Sequence, residues 1–162
     1  MKEQETQKNN IPYHISMESA IGSVLLIATK SQSYKYLFSH DYEWMIIPPI
    51  AAGQYSLFRN KRNEPIAFVS FASVNEEVEK RIIAGSLKLS PADWTSGDKL
   101  YIIDVISPFI PVIDILKELN DGQFKDKNIK ILRPNENQKG KNNPIRLKEF
   151  LKTNPKDKSD KK

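Results

Sequence analysis

Apolar and polar positions change period several times along this chain, and each change marks an element. From Ala20 to Ala28 the apolar residues are dense enough for a buried helix, and Ser16 with Glu18 suits its opening. A polar stretch from Thr29 to Lys35 follows. Asp41 is placed to cap a second helix carrying Tyr42, Trp44, Met45 and Ile46, which Pro48 and Pro49 should stop. Gln54 to Arg59 and Pro65 to Val74 read as strands joined by the polar loop Asn60 to Glu64, and so as an antiparallel hairpin. Asn75 to Ala84 returns to helical spacing, with Gly85 as a C-cap.

Leu100 to Ile106 is the third predicted strand. Pro111 then sits at the first turn of a helix over Val112 to Asn120, whose Ile113, Leu116 and Leu119 share one face. Ile129 to Arg133 is a fourth, short strand. Asn135 to Asn143 reads as a polar loop, and Pro144 to Leu151 as a last element of either type. After residue 53 the order is strand, strand, helix, strand, helix, strand. A hairpin that passes through a helix into a parallel strand predicts a mixed α/β sheet flanked by helices, not a doubly wound one. The order is also that of the core of the GCN5-related N-acetyltransferase fold, which alone says little about function.

Length and charge narrow the picture. At 162 residues the chain predicts one domain, spanning 16–151, between a polar N-terminal arm over 1–15 and a basic tail over 152–162. No apolar stretch approaches the roughly 20 residues that cross a bilayer. The polar start lacks the apolar segment of a signal peptide, so the expected location is the cytoplasm. The absence of cysteine excludes a disulfide or a thiol nucleophile, and two histidines, His14 and His40, make a poor basis for a metal site. Five Lys and two Asp fall between Lys152 and Lys162, so most of the net charge of +5 belongs to the tail. The body keeps too little positive charge to track a phosphate backbone, and no nucleic-acid partner is expected.

Candidate chemistry concentrates in the run from Leu89 to Phe109. A turn rich in Asp, Ser and Gly delivers the chain into an apolar strand that contains one carboxylate, Asp104. An ionised carboxylate there is costly unless it is paired, hydrogen bonded or put to use. Asp93 and Asp98 flank the turn and fit Asx-type hydrogen bonding, while Trp94 suits a core anchor or a loop plug.

The same residues resemble a family, the RTX toxin-activating lysine acyltransferases. The likeness rests on Gly53-Gln54-Tyr55 with Leu57-Phe58-Arg59, and on Pro65-Ile66-Ala67-Phe68 with Ser70-Phe71-Ala72. It continues through Glu77 and the run Asp93-Trp94-Thr95-Ser96-Gly97-Asp98 to Asp104 and Pro108-Phe109. It extends from about Gly22 to Phe109 and is faint beyond. The resemblance implies transfer of a fatty acyl group from acyl carrier protein to internal lysine ε-amines of an RTX protoxin, on a variant of the acetyltransferase fold. It further implies those two proteins as partners, a homodimer, and no bound cofactor, the acyl-acyl carrier protein being the donor. The absence of a Gly-rich loop leading into a helix, which could cradle a pyrophosphate, fits a carrier-protein donor independently.

Three site residues follow from the resemblance: a His after the first helix, a Ser three residues before it, and the strand Asp. In this sequence the Asp falls on Asp104, the Ser on Ser31 and the His position on Tyr34. A phenol of ordinary pKa near 10 is no base at neutral pH, although it can donate a hydrogen bond to an oxyanion or a thiolate. Ser31 also suits a turn or a cap, and Asp104 a structural carboxylate at a strand end. Ile110 stands where the family carries a Gly after Pro-Phe. Two functions are therefore carried forward, an acyltransferase using Asp104 and a non-enzymatic toxin-binding partner that keeps the fold.

Overall fold

The computed structural model describes residues 15–153. All of the expected N-terminal arm except Ile15, which packs against the core, and nearly all of the expected basic tail lie outside the described residues. Helix α1 spans Met17–Ala28, and the Ser16 hydroxyl accepts the Ser19 N–H at 3.1 Å to cap it. Helix α2 spans Ser39–Met45, and α3 spans Ile47–Ala51. Asp41 accepts the N–H of Phe38 at 2.8 Å, so it braces the start of α2 from inside the first turn. Pro48 and Pro49 end nothing. They open α3, because the first turn of a helix has no use for the N–H that proline lacks.

Strands β1 (Tyr55–Arg59) and β2 (Pro65–Val74) form the expected hairpin. Helix α4 (Glu76–Ile83) follows, with the Asn75 side chain accepting the Val78 N–H at 2.9 Å and three glutamates in the first turn facing the helix dipole. Then come a 3-10 turn at Pro91–Trp94, β3 (Lys99–Ile106), α5 (Val112–Asp121) and β4 (Ile129–Pro134). The last elements are β5 (Asn142–Arg146) and α6 (Leu147–Thr153). β5 begins inside the stretch read as a polar loop. It is an edge strand with little apolar alternation and a proline at its centre, held by its pairing with β4. α6 takes in Lys152 and Thr153, because Leu147 and Leu151 bury against the core and carry the helix past the expected domain end.

The five strands lie in sequence order. β1, β2 and β3 are antiparallel neighbours, β3 and β4 are parallel, and β5 returns antiparallel to β4. The sheet is thus mixed and flanked by helices, as in the GCN5-related acetyltransferase type. The parallel crossover runs through α5, whereas α4 joins strands that pair antiparallel, so the helix that makes the sheet mixed comes one step later than the element order suggests. One face packs α5 and α6 over Val69, Phe71, Ile102 and Ile131. The opposite face carries α1 to α3 over Phe68 and Ile106, and α4 with Trp94 over Ala72, Val74 and Tyr101. Burial of these apolar side chains, at about 25 cal/mol per Å², supplies the main drive for both layers.

Candidate functional site

A single slip in strand pairing builds the site. In a regular strand Leu100, Ile102, Asp104 and Ile106 would share one face. The register between β2 and β3 shifts, however, so that Ser70 faces Asp104 while Phe71 faces Ile102, and Ile103 is the extra residue. The bulge exchanges the parity of the strand. Leu100, Ile102 and Val105 pack beneath α5 and α6, whereas Tyr101, Ile103 and Ile106 face α1 to α4. Asp104 joins the second group and meets the turn that follows α1.

Tyr34 stands in that turn. The loop is held by backbone bonds from Ser31 N–H to Ala28 O and from Lys35 N–H to Ser31 O, both at 3.0 Å, and Tyr34 packs on the α1 to α3 core. Its phenol donates a hydrogen bond to Oδ1 of Asp104. Burial pushes the Asp104 carboxyl above its ordinary range, and the Tyr34 bond offsets only part of that. The phenol is itself pushed well up, first by burial and then by the neighbouring carboxylate and its hydrogen bond. The pair therefore consists of a carboxylate readier than usual to take a proton and a phenol that keeps its own.

Of the three predicted site residues the structure joins Tyr34 and Asp104, which are 70 positions apart in sequence. Ser31 is buried in the same turn, and its hydroxyl bonds to neither. His40 lies on the exposed side of α2, with Nδ1 3.2 Å from a Glu43 carboxylate oxygen, and does not join the pair. His14 lies outside the described residues. Two polar groups, one of them quoted only as part of a motif, were not among the expected site residues. Ser70 is fully buried and Tyr42 half-buried, and neither hydroxyl has a hydrogen-bond partner in the structure. Ser70 carried a signal of the same kind as Asp104, a polar side chain inside the apolar strand Phe68-Val69-Ser70-Phe71.

The motif residues around Asp93 do a different job. Asp93 accepts the N–H of Ser90 at 2.9 Å and an Arg81 guanidinium N–H at 2.8 Å. Burial alone would raise its carboxyl, but these bonds outweigh burial and hold it below the usual range. Ser96 donates to the Asp93 carbonyl and accepts the Asn75 N–H, and Trp94 is buried in the core. At Gly97 a Cβ would come within 2.5 Å of the Val74 carbonyl oxygen, so only glycine allows this approach. The Asp-Trp-x-Ser-Gly-Asp run is thus a lock that fixes where β3 begins, and through the register it fixes Asp104.

An opening in the sheet adjoins the pair. β3 and β4 register only at Leu100 with Ile129 and Tyr101 with Lys130. Beyond Tyr101 the parallel strands part, and the half of β3 that carries Asp104 has no strand beside it on that side. The mixed sheet that parts between β3 and β4, beside the buried Tyr34 and Asp104 pair, is of the GCN5-related acetyltransferase type. The family model described as the RTX toxin acyltransferase family matches residues 13–150, and the chain belongs to that family. It is 29% identical over 108 residues to the lysine-acyltransferase RtxC of Vibrio cholerae, covering 67% of this chain and 71% of the relative. It is 32% identical over 111 residues to the protein-lysine myristoyltransferase RtxC of Kingella kingae, 66% of each. An uncharacterized protein of Synechocystis is 32% identical over 115 residues, 70% of this chain and 78% of the relative.

Proposed function

We propose that this protein transfers a fatty acyl group from acyl carrier protein to internal lysine ε-amines of an RTX protoxin in the cytoplasm, with Asp104 as the base and Tyr34 as a hydrogen-bond donor. The observation that carries the reading is the hydrogen bond from Tyr34 to Asp104, a carboxylate that burial biases toward protonation. The names of the relatives support the substrate class, since they describe acyl transfer to lysine and activation of RTX toxins.

The chemistry balances through these two residues. A lysine arrives as an ammonium, and Asp104 takes one proton so that the amine lone pair can attack the thioester carbon. The C–N bond forms, the C–S bond breaks, and the electron pair leaves on sulfur. Of the ammonium's three protons one stays on the amide nitrogen, one goes to the departing sulfur and one to solvent, the last two by way of the Asp104 carboxyl. Tyr34 keeps its proton and donates a hydrogen bond to the oxyanion. Ser31 fixes the turn that carries it.

The end of the sheet favours a carrier-protein donor over free coenzyme A. Coenzyme A needs an anion site, commonly at a helix N-terminus. The N-terminus of α5 begins at Pro111 with no side-chain cap, carries Asp114 in its first turn, and is bordered by the exposed apolar residues Phe109 and Val112. That is a poor seat for a pyrophosphate. The parted edge of β3 offers main-chain groups to the amides of an extended donor arm. Homodimerisation belongs to the same reading, and exposed Leu25 and Leu26 on α1 supply apolar surface for it.

Mass spectrometry of an RTX protoxin, coexpressed with acyl carrier protein and the natural protein, Asp104→Ala or Tyr34→His, tests the proposal. The expected result is a fatty-acyl increment on protoxin lysines with the natural protein and a loss of at least about 100-fold in an Asp104→Ala variant that still melts cooperatively. Tyr34 at the His position favours the second reading, a toxin-binding partner without transfer. No increment with the natural protein, and its appearance with Tyr34→His, would establish that reading instead.

A further inference from the structure

Of the two hydroxyls near the site that the mechanism above leaves idle, Ser70 is the one that faces Asp104 in the sheet register. It stands opposite Asp104 in the β2 to β3 register, at the bulge, with 0% of its surface exposed, and its hydroxyl has no partner. Buried hydroxyls are nearly always bonded, so an idle one calls for an explanation, and a bond made in another state is one. Packing does not ask for the oxygen. Ala67 and Ala72 fill equally buried positions of the same strand, and Phe68 next on the same face is apolar. Side chains directly opposite on antiparallel strands lie about 4.5–5.5 Å apart at Cβ. Rotation about χ1 of Ser70 would turn its hydroxyl toward the carboxylate opposite, with no change in the backbone.

We propose that Ser70 is a positioning residue for Asp104, whose hydroxyl replaces Tyr34 as the hydrogen-bond donor to the carboxylate when Tyr34 turns its O–H toward the oxyanion. The proposal rests on the reading of Asp104 as the base. A single donor cannot serve the carboxylate and the oxyanion at once. When Tyr34 leaves, a buried carboxylate with no donor would drift from its position and hold its proton too tightly to pass it on. The Ser70 hydroxyl keeps both the orientation and the basicity of Asp104 through that step. Among the described residues Tyr34 is the titratable side chain that acts on Asp104, and no cation does.

The test is a 13C NMR titration of the Asp104 carboxyl in the full chain, for the parent, Ser70→Ala, Tyr34→Phe, and Tyr34→Phe combined with Ser70→Ala or Ser70→Thr. The midpoint should stay at the parent value in Ser70→Ala, where Tyr34 still holds the carboxylate. It should rise in Tyr34→Phe and rise further in Tyr34→Phe/Ser70→Ala. Tyr34→Phe/Ser70→Thr, which keeps a hydroxyl, should titrate with Tyr34→Phe. Equal midpoints for Tyr34→Phe and the Ser70→Ala double variant would overturn the proposal. In the acylation assay Ser70→Ala should lower kcat about tenfold with KM for the protoxin unchanged, and an unchanged kcat would overturn it too. A parent protein with no transfer would count against the acyltransferase reading alone, since the titration decides the coupling of Ser70 to Asp104 without turnover.

Discussion

Two tyrosine and carboxylate pairs sit on the same side of the sheet, three residues apart on β3, and they have opposite characters. Tyr101 donates to Glu79 of α4 as Tyr34 does to Asp104. Glu79 also has Lys99 against it and Lys130 at 3.5 Å. Burial pushes the Glu79 carboxyl up, but the two lysines and Tyr101 outweigh it and hold the group below its usual range. Among the described residues Asp104 has the phenol and no cation, and it is pushed up. The same two residue types thus give a fixed charge in one place and a proton-accepting group in the other. The lysines make the difference, and the pair without them is the one proposed for chemistry.

The comparison is broken most forcefully at Glu79. Glu79→Ala leaves Lys99, Lys130 and the Tyr101 hydroxyl without their common acceptor, and it should cost about 2 kcal/mol in urea unfolding at pH 7, below the full cost of a dry pair because both lysines are partly exposed. Acyl transfer should survive. A folded carboxyl held below its unfolded value stabilises above the unfolded pKa and loses that stabilisation as pH falls through the folded one. The parent should therefore lose stability below about pH 4, and Glu79→Ala should show a flatter acid limb. A variant as stable as the parent across this range would remove Glu79 as the fixed counterpart of Asp104.

Tyr101→Phe sharpens the contrast with a smaller effect. The lost bond reaches a charged acceptor, but Glu79 keeps two lysines, so the cost should be about 1 kcal/mol by denaturant midpoint, with transfer unchanged. A loss of transfer comparable to that of Asp104→Ala would mean that the two pairs work as one network.

How far these features could be read in the sequence depends on whether they are local. Asp104 stood out because a charge inside Leu100 to Ile106 has no apolar reason to be there, and the hairpin, α4 and α5 followed from period and caps. Tyr34 came from resemblance alone, since no local rule brings a turn residue to a strand 70 positions later. The bulge at Ile103 was not legible, because a one-residue slip is decided by which strand pairs with which. Ser70 was visible but ordinary, for a lone serine in a strand carries no charge to explain. Glu79 lay unremarked within the helix expected over Asn75 to Ala84, and its lysines converge on it only once β3 and β4 lie side by side.

The smallest expected effect has the opposite sign from the others. A carboxyl whose folded pKa lies above its unfolded one favours the folded state while protonated and penalises it once ionised, so stability is fully present below the unfolded pKa and declines as pH rises through the folded pKa. At pH 7 Asp104 is therefore a cost to the fold. Asp104→Asn keeps an oxygen for the Tyr34 hydroxyl while removing the buried charge, so it should raise stability at pH 7, by at most about 1 kcal/mol or a few degrees in Tm. The gain should vanish near pH 3, where the parent carboxyl is neutral as well, while acyl transfer is lost at every pH. Thermal melts at pH 3 and pH 7 check this. A variant less stable than the parent at pH 7 would show that Asp104 is a second fixed charge like Glu79, and the distinction between the two pairs would fall with it.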